Sequence, residues 1–107
     1  MLKTIVIDRR KWGRALRGER KRGVLYSSGT RKMCCLGFLC NQAYGIPKKR
    51  MSGWEIPPQV GVDENVPWAE VTAINDRENF TGTDRQQENA IRKWFKKHLG
   101  RDVEFTN

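Results

Sequence analysis

The sequence predicts an α+β fold, a small antiparallel sheet packed against three to four helices, in a single domain spanning residues 1–107. Three observations carry that expectation. The chain opens and closes on short alternating apolar stretches, Leu2 to Ile7 and Val103 to Phe105, which read as strands able to pair. Apolar residues between them recur at helical spacing in several segments. Finally, 107 residues with 37% hydrophobic content and four tryptophans suffice for one modest core.

Taken in order, Leu2 to Ile7 is rich in β-branched residues and forms the first strand. Asp8 is placed to cap a helix over Arg9 to Arg17, closed by Gly18. Its buried face would be Trp12, Ala15 and Leu16, with Arg9, Arg10, Arg14 and Arg17 in solvent. A turn signal at Ser27–Thr30 lies between extended arms and predicts a hairpin over Gly23 to Met33. The uncharged stretch MCCLGFLC, Met33 to Cys40, continues as a helix to Tyr44, ended by Gly45 and Pro47. All four prolines fall between Ile46 and Pro67, an irregular excursion of about residues 46–67. Pro67 then starts a short helix through Trp68, Val71 and Ile74, ended by Asn75-Asp76. Arg77 to Gly82 is a loop. Thr83 to Gln86 has capping-box spacing and opens the clearest helix, with Ala90, Ile91, Trp94, Phe95, His98 and Leu99 on its apolar stripe and Gly100 as its stop. Val103-Glu-Phe105 alternates as an edge strand against Thr4 to Ile7.

The bulk properties exclude several classes. No apolar run approaches the ~20 residues of a membrane span. The N-terminal MLKTIVIDRRKW passes into charge without a small-residue cleavage site, so it is not read as a signal peptide. Three thiols, two adjacent, do not make a disulfide framework and fit a reducing compartment. The net charge of +9 is unevenly placed. Residues 1–50 carry +12, residues 51–89 carry −6 and residues 90–107 carry +3. Such asymmetry fits an anionic partner on one side, or complementary faces that meet in a homo-oligomer.

Chemistry is sought first at the cysteines. A closed zinc site needs four ligands in paired spacings, and only His98 joins Cys34, Cys35 and Cys40. A cysteine nucleophile needs a base, and that single histidine lies on an apolar stripe. The reading preferred is packing: Leu36, Leu39, Cys40 and Ala43 on one face, with Gly37 permitting close approach. No phosphate loop or dinucleotide glycine pattern is present, and Asp63-Glu64 and Asp102/Glu104 lack partner motifs. No enzyme, metal or cofactor is expected. The basic segments carry the stronger signal: Arg14, Arg17, Arg20, Lys21 and Arg22 near the first helix, and Arg31 and Lys32 across the hairpin. Arginine forks suit phosphate, and Tyr26 and Trp54 offer stacking faces. The alternative is a solvated basic surface with no ligand.

KWGRALRG, RKMCCLGFLC, AIND at Ala73–Asp76, DRQQENAIRKWF and DVEF together resemble a family of small bacteriophage and prophage proteins. Its signature is a CCLG(V/F)LC core followed by a Leu/Ile-Asn-Asp segment. The resemblance implies a phage origin, a host bacterial cytoplasm and action by binding. The expectation that follows is a non-enzymatic counter-defence protein that sequesters a phosphate-bearing ligand, a nucleotide immune signal. Arg14, Arg17, Arg31 and Lys32 would hold phosphate, Tyr26 and Trp54 would stack on the base, and Asn75 and Asp76 would read polar edges. A homo-oligomer would supply a deep pocket. The alternatives are a nucleic-acid binder using the same surface and an inhibitor of a host defence protein docking through the acidic or basic region. No membrane partner is expected.

Overall fold

A computed structural model describes residues 4–18, 24–54, 66–78 and 80–107. Arg20, Lys21, Arg22 and residues 55–65 of the proline-bearing excursion, with Asp63 and Glu64, lie outside them. Strand β1 (Thr4–Asp8) pairs with strand β2 (Asp102–Thr106) in register Ile5↔Val103 and Ile7↔Phe105. The pairing partners are as expected, but the two strands run parallel, which overturns the antiparallel sheet. Alternation of side chains is the same in either direction, so it cannot report polarity. Polarity is set by the path between the strands, which here runs through three helices and returns β2 in the direction of β1.

Ile5, Ile7, Val103 and Phe105 point into the core and their neighbours outward. A two-stranded sheet leaves open edges. At Val6 the Gln42 carboxamide fills that role, accepting from the Val6 N–H at 2.9 Å and donating to its carbonyl at 2.7 Å. One side chain thus completes the edge as a third strand would.

The expected helix over Arg9 to Arg17 does not form. Asp8 caps as anticipated, accepting from the Arg10 amide at 3.0 Å, but only a 3₁₀ turn over Arg9–Lys11 follows. Beyond it the backbone bonds to other segments. Gly13 N–H donates to the Met33 carbonyl at 2.7 Å, Met33 N–H to Lys11 at 2.9 Å, and Ala15 N–H to Asn75 at 3.0 Å. These bonds consume the groups that a helix would pair internally. Trp12 and Ala15 are still buried, whereas Leu16 is 45% exposed.

The remaining helices follow their sequence signals. Helix α1 (Cys35–Ala43) buries every residue from Cys35 to Cys40 and ends at Gly45, whose φ is +66°. Helix α2 (Trp68–Asp76) starts after Pro67 and closes on Arg77 in the left-handed region. Helix α3 (Asp84–Leu99) has the full capping box between Thr83 and Gln86 and a left-handed Gly100 at its end. Gly37 is the contact point between α1 and the hairpin. A Cβ there would stand 2.0 Å from the Leu25 carbonyl oxygen and 2.9 Å from the Met33 Cβ. No helix among the described residues is long and apolar enough to cross a membrane.

Candidate anion-binding face

The structure divides the eight residues expected at a ligand site into two groups. Arg14, Asn75 and Asp76 are buried and joined to internal partners. Arg17, Tyr26, Arg31, Lys32 and Trp54 are exposed or half-buried.

The buried group belongs to a polar network that ties the 9–17 segment to α2 and α3. Asn75 is fully buried and uses both ends of its carboxamide. Its oxygen accepts from the Trp12 indole at 2.7 Å and the Cys35 amide at 3.1 Å. Its nitrogen donates to the Gly13 carbonyl at 3.0 Å and to Asp76 at 2.9 Å. The Arg14 guanidinium lies 4.1 Å from the Trp12 ring centre. It donates to Gln87 at 2.8 Å, to Glu88 at 2.8 Å and to the Asp84 carbonyl at 2.9 Å. Glu88 also takes a two-pronged contact from Arg9 at 2.7 and 3.0 Å. Burial alone would raise the Glu88 pKa, but the two arginines outweigh it and hold the carboxyl below its ordinary 4.5. Gln87, fully buried, donates to the carbonyls of Ala15, Ile74 and Asn75.

Arg77 completes the network from its left-handed position, φ 57°. It donates to the Ala15 carbonyl at 2.9 Å, the Gly82 carbonyl and Asp84 at 2.6 Å. A residue that tolerates positive φ is the usual helix stop. Here the guanidinium contacts offset the conformational cost. The charge asymmetry of the sequence is therefore partly internal: basic Arg9 and Arg14 meet acidic Glu88 within one chain. Gln87, Glu88 and Arg77 were not anticipated. A period-3.6 stripe flags apolar residues, and nothing local marks a glutamine or glutamate as buried.

The exposed group gathers at the hairpin. Ser27 N–H donates to the Lys32 carbonyl at 2.9 Å and Arg31 N–H to the Ser27 carbonyl at 2.7 Å, closing a tight turn with Arg31 at φ 59°. The hairpin base then pairs with the segment after α1. Leu25 N–H donates to the Trp54 carbonyl at 2.5 Å and Gly53 N–H to the Tyr26 carbonyl at 3.0 Å. This pairing sets the backbone segments that carry Tyr26, Arg31, Lys32 and Trp54 side by side, with Tyr26 and Trp54 packed in part against the core. It also adds Lys48, Lys49 and Arg50, carried on a 3₁₀ turn (Lys48–Met51) anchored by fully buried Met51. All five cations are exposed, and among the described residues none is paired with a carboxylate. The run KKR is plain in the sequence, but its proximity to the hairpin depends on the Tyr26–Ser52 bridge. Arg17 lies elsewhere: its amide donates to Asp84 at 2.7 Å, beside the buried network.

The cysteines lie in the core. All three are free and buried, and burial pushes the Cys34 and Cys40 thiols up to about 12 and Cys35 well above its ordinary value. Protonated, enclosed thiols are poor nucleophiles and poor metal ligands. Comparison with protein-family models, curated proteins and solved structures finds no match to this chain.

Proposed function

We propose that the protein is a non-enzymatic phage accessory protein that holds a phosphate-bearing ligand on its hairpin face, and that this ligand is a single-stranded nucleic acid. The observation that carries the reading is five exposed cations with no carboxylate partner among the described residues, on two backbone segments that also carry half-buried Tyr26 and Trp54. A cationic track beside aromatic platforms is the arrangement that binds a strand without reading its sequence. Commitment of Arg14, Asn75 and Asp76 to the interior removes the groups that would enclose a single nucleotide. A nucleotide immune signal is the second reading, favoured by Tyr26 and Trp54 beside Arg31 and Lys32. It requires a second subunit to wall in the ligand. The counter-defence role and the host cytoplasm rest on the sequence resemblance.

Fluorescence anisotropy with labelled single-stranded oligonucleotides tests the proposal. Each lost contact on a single strand lowers the salt slope by about 0.7, so Lys48→Ala/Lys49→Ala/Arg50→Ala should lower it by about 2. Trp54→Ala should weaken binding by about 1–3 kcal/mol per base it stacks. Salt-insensitive, saturable capture of a cyclic dinucleotide, with no strand binding, would replace this reading by the second one.

A further inference from the structure

We infer that the solvent side of α3 is a second, separate nucleic-acid surface, built for duplex DNA. At about 100° per residue, a helix divides cleanly into two sides. One side of α3 buries Gln87, Glu88, Ile91, Trp94 and Phe95. The other presents Arg85, Arg92, Lys93, Lys96 and Lys97, all exposed. Between these cations stands the exposed carboxamide of Asn89, while that of Gln86 is held by the Thr83 amide in the capping box. No carboxylate of α3 itself shares that side, because the two acids of the helix turn away from it. Asp84 receives Arg77 at 2.6 Å, and Glu88 receives Arg9 and Arg14 at 2.7 and 2.8 Å. The buried network therefore also leaves an outer side of α3 whose own charged residues are all basic, with Asp102 of β2 beside it at Lys96.

The chemistry of this side fits duplex DNA. From Arg85 to Lys97 it runs about 18 Å, and a helix with its side chains is about 10–12 Å across, the width of the B-form major groove. Arginine and lysine suit phosphates and guanine edges, and asparagine suits adenine. Lys93 stands between two surface hollows, of about 410 Å³ beside Phe80 and Asn89 and about 300 Å³ beside Lys96 and Val103. The flanking relief makes α3 a ridge. An anionic bilayer is the weaker match, since an interfacial helix inserts an apolar side, and here that side is the protein core. Two of the cations are partly engaged at home: Lys96 with Asp102 at 3.2 Å, and Arg92 with Asn89 at 2.8 Å and over the Phe105 ring at 4.9 Å. Among the described residues, Arg85, Lys93 and Lys97 have no such engagement and are the cations left for phosphate.

The test is anisotropy of a labelled duplex of about 20 base pairs across a salt series. In Arg85→Ala/Lys93→Ala/Lys97→Ala, alanine suits an exposed helix, and thermal melting should match the wild type. The wild type should bind the duplex, and the triple variant should lower the salt slope by about 2.7 and weaken low-salt binding at least about tenfold. Lys48→Ala/Lys49→Ala/Arg50→Ala should leave duplex affinity within about twofold, so failure of the hairpin reading does not decide this one. The inference is overturned by no duplex binding at low salt, or by an α3 variant indistinguishable from wild type. It is also overturned if hairpin and α3 variants lose duplex equally, or if phosphatidylserine vesicles bind with the same dependence on these three residues.

Discussion

Replacing Asn75 by alanine should destabilise the protein more than almost any other single truncation of its size. The side chain is fully buried and satisfies four groups: the Trp12 indole, the Cys35 amide, the Gly13 carbonyl and Asp76. Alanine removes the one acceptor shared by the indole and the amide, leaving two buried donors unpaired. Each such donor costs about 1–3 kcal/mol, while an unpaired carbonyl costs less. The expected loss is about 3–5 kcal/mol, against a total of about 5–15 kcal/mol for a domain. Urea unfolding followed by far-UV circular dichroism measures it, provided the m-value is unchanged. A loss below about 1 kcal/mol would refute the account of Asn75 as the tie between the 9–17 segment, α1 and α2. The same variant also separates structure from ligand contact. At a temperature where it remains folded, its affinity for a single strand should match the wild type. Weakened binding at wild-type stability would return Asn75 to the ligand.

Three further outcomes follow from the same geometry. Gly37→Ala should cost more than about 3 kcal/mol despite alanine's better helix propensity, because its Cβ would meet the Leu25 carbonyl oxygen at 2.0 Å; a gain in melting temperature would contradict the close packing. Glu88 and Asp84 both titrate below their ordinary values of 4.5 and 3.8 in the folded chain. Burial raises both, but arginine contacts outweigh it for Glu88, and the Arg17 amide and Arg77 outweigh it for Asp84. Their contribution is thus present above those ordinary values and lost as the pH falls through the lowered ones, so Glu88→Gln should flatten the acid limb of a stability–pH profile. A limb of unchanged steepness would count against the Arg9–Glu88–Arg14 cluster. Finally, the buried thiols of Cys34, Cys35 and Cys40 should react with a thiol reagent at neutral pH only through unfolding, at rates that rise with urea. Prompt stoichiometric labelling of the native protein would show an open thiol.

What was legible in the sequence is what local chemistry encodes. The capping box at Thr83–Gln86, the stop at Gly100, Pro67 before α2 and the left-handed Gly45 after α1 all sit where their residues place them. Gly37 was readable as a point of close approach. The helix expected over Arg9 to Arg17 illustrates the limit. Asp8 started a turn as its side chain allows, but the amides of Gly13 and Ala15 found carbonyls on Met33 and Asn75. These partners lie far along the chain, and helical spacing carries no information about them.

The sequence by itself determined about where the three α-helices begin and end, which strand residues alternate into the core, and that the chain carries a large excess of positive charge. Caps, turns and periodicity act over a few residues, so they survive in the linear order. Only the tertiary structure decided the parallel direction of β1 and β2. It also decided which charges remain free. Arg14 looked like a phosphate ligand and is neutralised by Glu88; Lys48 to Arg50, not singled out in the sequence, are carried on a segment that pairs with the hairpin bearing Arg31 and Lys32. A charge is spent or available according to what stands a few ångströms away, and that distance is set by the fold.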